Sequence, residues 1–324
     1  MKKLLISIAV IMFSFGIIAQ ASDLVIESKT QTFSEEDNKI KFQGDVKVSV
    51  DDMKVVGESA DINMNEEQKL DTATFYDKPY AYEVKKNKKR EVKANILKVS
   101  LITKIVRAEG DTQSVVFDGK VPIVVINSDV QEYDTKTGVM TATGAVTIKY
   151  KDIESFSNKA IIKTNKNLKD LELIGNARVK DKTNESFADK FYYSEATKML
   201  TATGNTTSNA TMEDGQKLIL KSNVQEYSQD KNTYSASGNV RVWYQDYYAV
   251  GPKITVYPDK TTNKPNDIYF TGRSSITQGV RTIYADKIKM MLKPKDFHAE
   301  GNTRTVIRNI GSGDSSDGEM TLGL

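Results

Sequence analysis

A glycine returns through this chain at a nearly constant spacing, and the residues around it alternate between apolar and polar. Gly44, Gly110, Gly144, Gly175, Gly204, Gly238, Gly272 and Gly301 stand 29 to 34 residues apart once one absent mark near Asp77 is allowed. A period of this size is the signature of stacked supersecondary units, and nine of them fill the chain. The repeat is clearest in TATGAVTIKYKD, residues 141–152, which returns as SASGNVRVWYQD at 235–246.

Within the unit, the positions two and four residues either side of the glycine are apolar or small. Met140, Ala142, Val146 and Ile148 show the pattern, as do Tyr234, Ala236, Val240 and Val242. The residues between them, such as Thr141, Thr147, Lys149, Ser235 and Arg241, are polar. Alternation with period two is the mark of a strand with one dry and one wet face. The glycine shares the apolar parity, so it is expected to point into the dry side and to mark a bend or a close approach. A hairpin turn is the competing reading, because Gly-Asn is itself a hairpin signal.

A second signature precedes most of the marks by about fifteen residues: a small residue followed by Asp, Asn or Lys. Ser28 with Lys29, Ala60 with Asp61, Ala94 with Asn95, Ser128 with Asp129, Ala188 with Asp189, Ser222 with Asn223 and Ala285 with Asp286 all fit it. The heptads SDVQEYD from Ser128 and SNVQEYS from Ser222 are nearly identical, which suggests a higher-order period of about three units. Thr, Val, Ile and Tyr favour strands, and no long segment keeps a helical stripe, so the chain reads as all-β.

The ends read differently. Lys2 and Lys3 precede an apolar run that closes on Ala19, Gln20 and Ala21. This is the pattern of a secretory signal, residues 1–21, with cleavage expected after Ala21. The repeats then occupy 22–310, and a Gly-, Ser- and Asp-rich tail, expected to be flexible, fills 311–324.

The composition removes several classes of function. There is no cysteine, hence no disulfide framework, thiolate site or cysteine nucleophile. Lys+Arg number 46 against 43 Asp+Glu, a balance that announces no nucleic acid. The cluster KKNKKR, residues 85–90, reads as a solvated loop. His298 is the one histidine, expected at the surface, so no histidine-based zinc cluster can form. Asp61, Asp129, Asp189 and Asp286 recur at one place in the unit, whereas a catalytic pair would be unique; a turn or an outer face is the better reading. No catalytic residue, metal site or cofactor is expected.

What remains is the dry face, which can close as a core or stay open as a groove for an acyl chain. Tyr133, Tyr150, Tyr227, Tyr244, Tyr257 and Tyr284 are candidates for its rim.

The signal segment, the small-Asp/Asn signature and the x-Ala-x-Gly-Asn-Val-x-Val marks together resemble the OstA-like (LptA) family of periplasmic lipopolysaccharide-transport proteins. The stretches SDVQEYDTKTGVMTATGAVTI from Ser128 and SNVQEYSQDKNTYSASGNVRV from Ser222 carry the resemblance best. It implies an elongated β-jellyroll, a V-shaped stack of antiparallel strands in which acyl chains of lipopolysaccharide lie in a hydrophobic interior. It also implies a periplasmic bridge between an inner-membrane export complex and an outer-membrane translocon, with end-to-end self-association through terminal strands. Carried over residue by residue, the lipid-binding interior would include Val46, Val48, Ile62, Val146, Ile148, Val240, Val242, Ile254, Val256 and Ile288. The chain has about twice the repeats of a simple member, and it lacks the long C-terminal strand set and the cysteines of the translocon. A structural or adhesive β-repeat protein with a closed core and a secreted carbohydrate-active β-solenoid are the alternatives.

Overall fold

The structure, a computed structural model, describes residues 25–50, 53–67, 69–85, 88–165, 168–212, 215–259, 261, 265–291 and 296–308. The expected signal segment and the tail from 311 lie outside these residues. All regular structure among them is β.

The first strands are β1 (Val25–Glu27), β2 (Thr30–Ser34), β3 (Lys39–Val50) and β4 (Met53–Met64). Four short ones follow: β5 (Leu70–Tyr76), β6 (Tyr80–Lys85), β7 (Lys88–Lys93) and β8 (Ile96–Ser100). A run of long strands then comprises β9 (Ile105–Asp118), β10 (Val121–Asp134), β11 (Val139–Tyr150), β12 (Ile153–Asn165), β13 (Leu168–Lys180) and β14 (Asn184–Ser194). It continues through β15 (Met199–Thr211), β16 (Lys217–Ser228), β17 (Thr233–Tyr244), β18 (Tyr247–Pro258), β19 (Pro265–Gln278) and β20 (Arg281–Met291). β21 (Asp296–Glu300) and β22 (Arg304–Ile307) end the described chain.

From β9 to β20 each strand pairs antiparallel with the next. The short strands are long ones broken in the middle. β5 and β6 both lie on β4, β7 and β8 both lie on β9, β1 and β2 share β3, and β21 and β22 share β20. The product is one antiparallel ladder of creased strands, an elongated β-jellyroll.

The crease is built from the two sequence signatures together. At every glycine mark except Gly272 the glycine and the residue after it both take positive φ: Gly144 at 82° with Ala145 at 43°, Gly204 at 77° with Asn205 at 47°, and Gly238 at 74° with Asn239 at 52°. Here the register slips, as between Thr143 and Val146 on β11, so the mark is a β-bulge within a strand and not a hairpin turn. The absent mark near Asp77 is filled by Asp77 and Lys78 at φ 64° and 62°, between β5 and β6. An aspartate tolerates the left-handed region because its short side chain can bond locally; Ser59 Oγ donates to Asp77 Oδ2 at 3.0 Å.

The expected direction of the glycine needs correction. A Cβ at Gly144 would lie 2.0 Å from Asp129 Oδ2, and one at Gly204 would lie 2.1 Å from Asp189 Oδ2. Both aspartates are exposed. Two consecutive positive-φ residues break the alternation, so the glycine meets the second signature of the neighbouring strand and not the dry interior. Asn95, Asn223, Lys29 and Asp286 pack the same way against Gly110, Gly238, Gly44 and Gly301. Asp286 N–H donates to Gly301 O at 2.9 Å, and Asn302 Nδ2 to Asp286 Oδ2 at 2.7 Å. The recurring acid is therefore a part of the crease.

Side chains of the expected parity line the inside of the folded ladder. Phe42, Val46, Ile62, Phe75, Leu97, Val116, Ile126, Val146, Leu173, Val179, Val240, Phe270 and Ile288 are almost wholly buried in one apolar cluster running from β3 to β20.

Candidate functional site

Folding each strand at its mark brings two walls face to face. Gln225 Nε2 donates to Leu220 O at 3.4 Å although both belong to β16. Five residues of straight strand span about 16 Å, so β16 must double back at Ser222 and Asn223. Ser222 Oγ, bonding Val224 O at 3.0 Å, and Thr206 Oγ1, bonding Ser222 O at 2.7 Å, hold the fold.

Between the walls of β15 to β20 lies an apolar cavity. Leu218, Leu220, Val242, Tyr244, Ile254, Val256, Ile268, Phe270, Ile276 and Met290 form most of its lining, with Ser208 and Tyr234 among the few polar groups. The free space is about 60 Å³, room for a few waters and well below the roughly 300–1,000 Å³ of ligand pockets. The walls leave little free space between them. Tyr234 OH donates to Gln225 Oε1, and burial pushes its phenol well above the ordinary range, so it stays neutral.

A smaller cavity of about 20 Å³ lies between β7 and β11, lined by Val92, Val106, Ala108, Ser114, Gln131, Glu132, Tyr133 and Met140.

All ten interior candidates face inward. Val46, Val48, Ile62, Val146, Ile148, Val240, Ile254 and Ile288 are buried and Val242 and Val256 are partly so, whereas Arg241 beside Val240 is exposed. The structure gathers Val242, Ile254 and Val256 around the larger cavity; Val46, Val48 and Ile62 belong to the N-terminal part of the same core. The sequence reading missed Ser208, Leu220, Phe270, Met290 and the two buried glutamines. The matching heptads around Gln131 and Gln225 held the signal for the glutamines.

Of the tyrosines expected at a rim, Tyr244 lines the larger cavity and Tyr133 the smaller. Tyr257 is exposed and stands edge-on to Tyr269, their centroids 5.6 Å apart. An open outer concavity of about 980 Å³ collects Lys231, Tyr257, Asp267, Tyr269 and Lys287 on the wet face.

The basic cluster differs from its expected loop, because Lys88, Lys89 and Arg90 belong to β7. Lys89 pairs with Glu91, which raises its pKa to about 12, and it lies over Tyr80, Tyr82 and Phe117. Arg90 Nη1 meets Glu83 at 3.3 Å, both largely buried. A strand needs only alternation, and here the aromatic rings cover the stems of the cations. His298 is exposed beside Glu300 at 3.3 Å. Among the described residues no three His, Cys, Asp or Glu side chains gather as a metal site, and no helix is long and apolar enough to cross a membrane.

A creased antiparallel ladder closed over an apolar interior defines a β-jellyroll. The family model described as LptA/(LptD N-terminal domain) LPS transport protein matches twice in succession, over residues 25–120 and 125–262. The chain belongs to this lipopolysaccharide-transport family. Among solved structures, the chain is similar to LptH of Pseudomonas aeruginosa, described as the LptA homologous periplasmic component of the lipopolysaccharide transport device. The identity is 12%, the TM-score is 0.34, and the match covers 38% of this chain and 83% of the other. No curated protein matches the sequence.

Proposed function

We propose that this protein is a periplasmic carrier that takes lipopolysaccharide from the inner toward the outer membrane by holding its acyl chains between the walls of the jellyroll. The observation that carries the reading is the apolar cavity of β15 to β20, whose lining side chains, Val242, Ile254, Val256, Phe270 and Met290 among them, offer an acyl chain dispersion contacts and almost no competing polar groups. No chemistry of its own is needed; transport is driven by an inner-membrane export complex and received by an outer-membrane translocon. The signal segment at 1–21 delivers the chain to the periplasm.

The two ends of the ladder support a bridging role. β1 and β2 pair with β3, and β21 and β22 pair with β20; their outer edges face no other described strand. An open edge is a template for another sheet, so the pathway partners, or a second copy, would continue the ladder there.

The small free volume favours one competing reading, a structural β-repeat with a permanently closed core. Titration of the purified protein with lipopolysaccharide, followed by the emission of Trp243, separates the two. Trp243, the one tryptophan, lies on β17 against Tyr248 and Lys221, on the face opposite Val242, so its emission reports a shift of the wall and not lipid contact. A saturable spectral change that lipopolysaccharide stripped of its acyl chains does not produce supports the carrier. No change with either molecule leaves the closed core.

A further inference from the structure

The two glutamines buried inside the apolar ladder are duplicates. Ser114 Oγ donates to Gln131 Oε1, and Gln131 Nε2 donates to Ile126 O at 3.2 Å. Ninety-four residues later Ser208 Oγ donates to Gln225 Oε1 at 2.6 Å, and Gln225 Nε2 donates to Leu220 O at 3.4 Å. The surrounding bonds repeat as well: Thr112 Oγ1 to Ser128 O at 2.7 Å becomes Thr206 Oγ1 to Ser222 O at 2.7 Å.

In each copy the bond spans the crease. Ser208 is paired in register with Leu220 on one wall, and Gln225 is paired with Ala236 on the other. Ser114 likewise faces Ile126, while Gln131 faces Ala142. Each glutamine therefore ties wall to wall beside one of the two cavities: Ser114 and Gln131 line the smaller, while Gln225 lies behind the larger, whose lining includes its two partners Ser208 and Tyr234.

A buried amide is a costly choice for a core that an apolar side chain would fill. Its bonds are strong while the interior stays dry and are replaced by water or ligand bonds when it opens. We infer that the Ser114–Gln131 and Ser208–Gln225–Tyr234 groups are latches, one at each of two equivalent stations, which hold the walls closed until a ligand parts them. The inference rests on the carrier reading for what opens the latch, but the latch itself acts without lipid.

The chain has no cysteine, so two spin labels can be placed cleanly at Lys217 and Glu226, two exposed residues on opposite walls of β16. Their separation is read by pulsed electron resonance in the wild-type background and in Ser208→Ala/Gln225→Met/Tyr234→Phe, which replaces all three side-chain partners by apolar groups of similar shape. With the latch removed, the distances spread to longer values, and amide exchange near Leu220 accelerates about tenfold, the factor that one or two net hydrogen bonds carry. Unchanged distances and exchange in a variant that keeps its β circular dichroism overturn the latch. If the triple variant does not fold, Ser114→Ala/Gln131→Met at the other station, read by exchange near Ile126, decides the question in the same way.

Addition of dodecyl-chain lipid A then tests the carrier reading separately. If it moves the wild-type distances toward those of the unlatched variant, lipid opens the latch. If latch removal widens the walls while lipid shifts neither protein, the latch stands and the carrier reading fails.

Discussion

Replacing Gly144 by alanine tests the crease from which every other feature follows. Two costs add at this position. Gly144 has φ 82°, a conformation that costs an L-residue about 1–2 kcal/mol. The new Cβ would also stand 2.0 Å from Asp129 Oδ2 and 2.8 Å from Asp129 Cβ, so side-chain rotation alone cannot clear it and the strands must shift. Overpacking of this kind costs about 1–3 kcal/mol, which brings the expected loss to about 2–5 kcal/mol. Gly119 is the internal control: its φ is 60° and a Cβ there meets nothing within 4 Å, so Gly119→Ala bears the backbone cost alone. Urea unfolding followed by far-UV circular dichroism should show Gly144→Ala losing clearly more than Gly119→Ala. Adding Asp129→Ala should return part of the difference, since it removes Oδ2 but leaves Cβ. Equal losses at the two glycines, or no recovery in the double variant, would refute the interlocking of the two signatures.

Three further outcomes are expected. Val240→Asp places a charge in a fully buried site with no partner and should cost about 3–5 kcal/mol, whereas Arg241→Asp on the exposed face should stay within about 0.5 kcal/mol; chemical denaturation of the two neighbours reads the parity directly. Phe270→Ala removes a buried ring from the cavity wall and should cost about 3–5 kcal/mol, while increasing the uptake of a hydrophobic dye measured by fluorescence titration. Burial raises the phenol pKa values of Tyr193, Tyr227 and Tyr234, so the folded state holds their protons more tightly than the unfolded state does. Their contribution is fully present below the unfolded value of about 10 and is lost as pH rises beyond it; melting temperature should fall on that side, and Tyr234→Phe should flatten the fall.

The all-β ladder was legible because a strand with one dry face writes its period into the sequence. Met140, Ala142, Val146 and Ile148 are buried as their alternation requires. The absent mark near Asp77 was also legible as a gap, and Asp77 with Lys78 fills it by adopting the conformation that glycine takes elsewhere. The direction of the glycine was not legible, because parity counting assumes an unbroken strand and two consecutive positive-φ residues break it. Nor was the role of Asp129 or Asp189, whose partner lies fifteen residues onward on the next strand. Within the candidate site, alternation identified Val242, Ile254 and Val256 as interior but could not say that they meet Phe270 and Met290 around one cavity, since that depends on how far each wall turns at its crease. Gln131 and Gln225 escaped because an isolated glutamine reads as solvent-facing; only the strand's doubling back gives its amide a partner five residues away.

The central claim is that the inside of this ladder, and not its outside, receives the acyl chains. A photocrosslinking residue at Val242, on the cavity wall, and at Arg241, its exposed neighbour, in cells that make lipopolysaccharide, addresses it most directly. Lipopolysaccharide adducts at position 242 and none at 241 are the predicted result. Adducts at 241 alone, or at neither position in a folded protein, would contradict it.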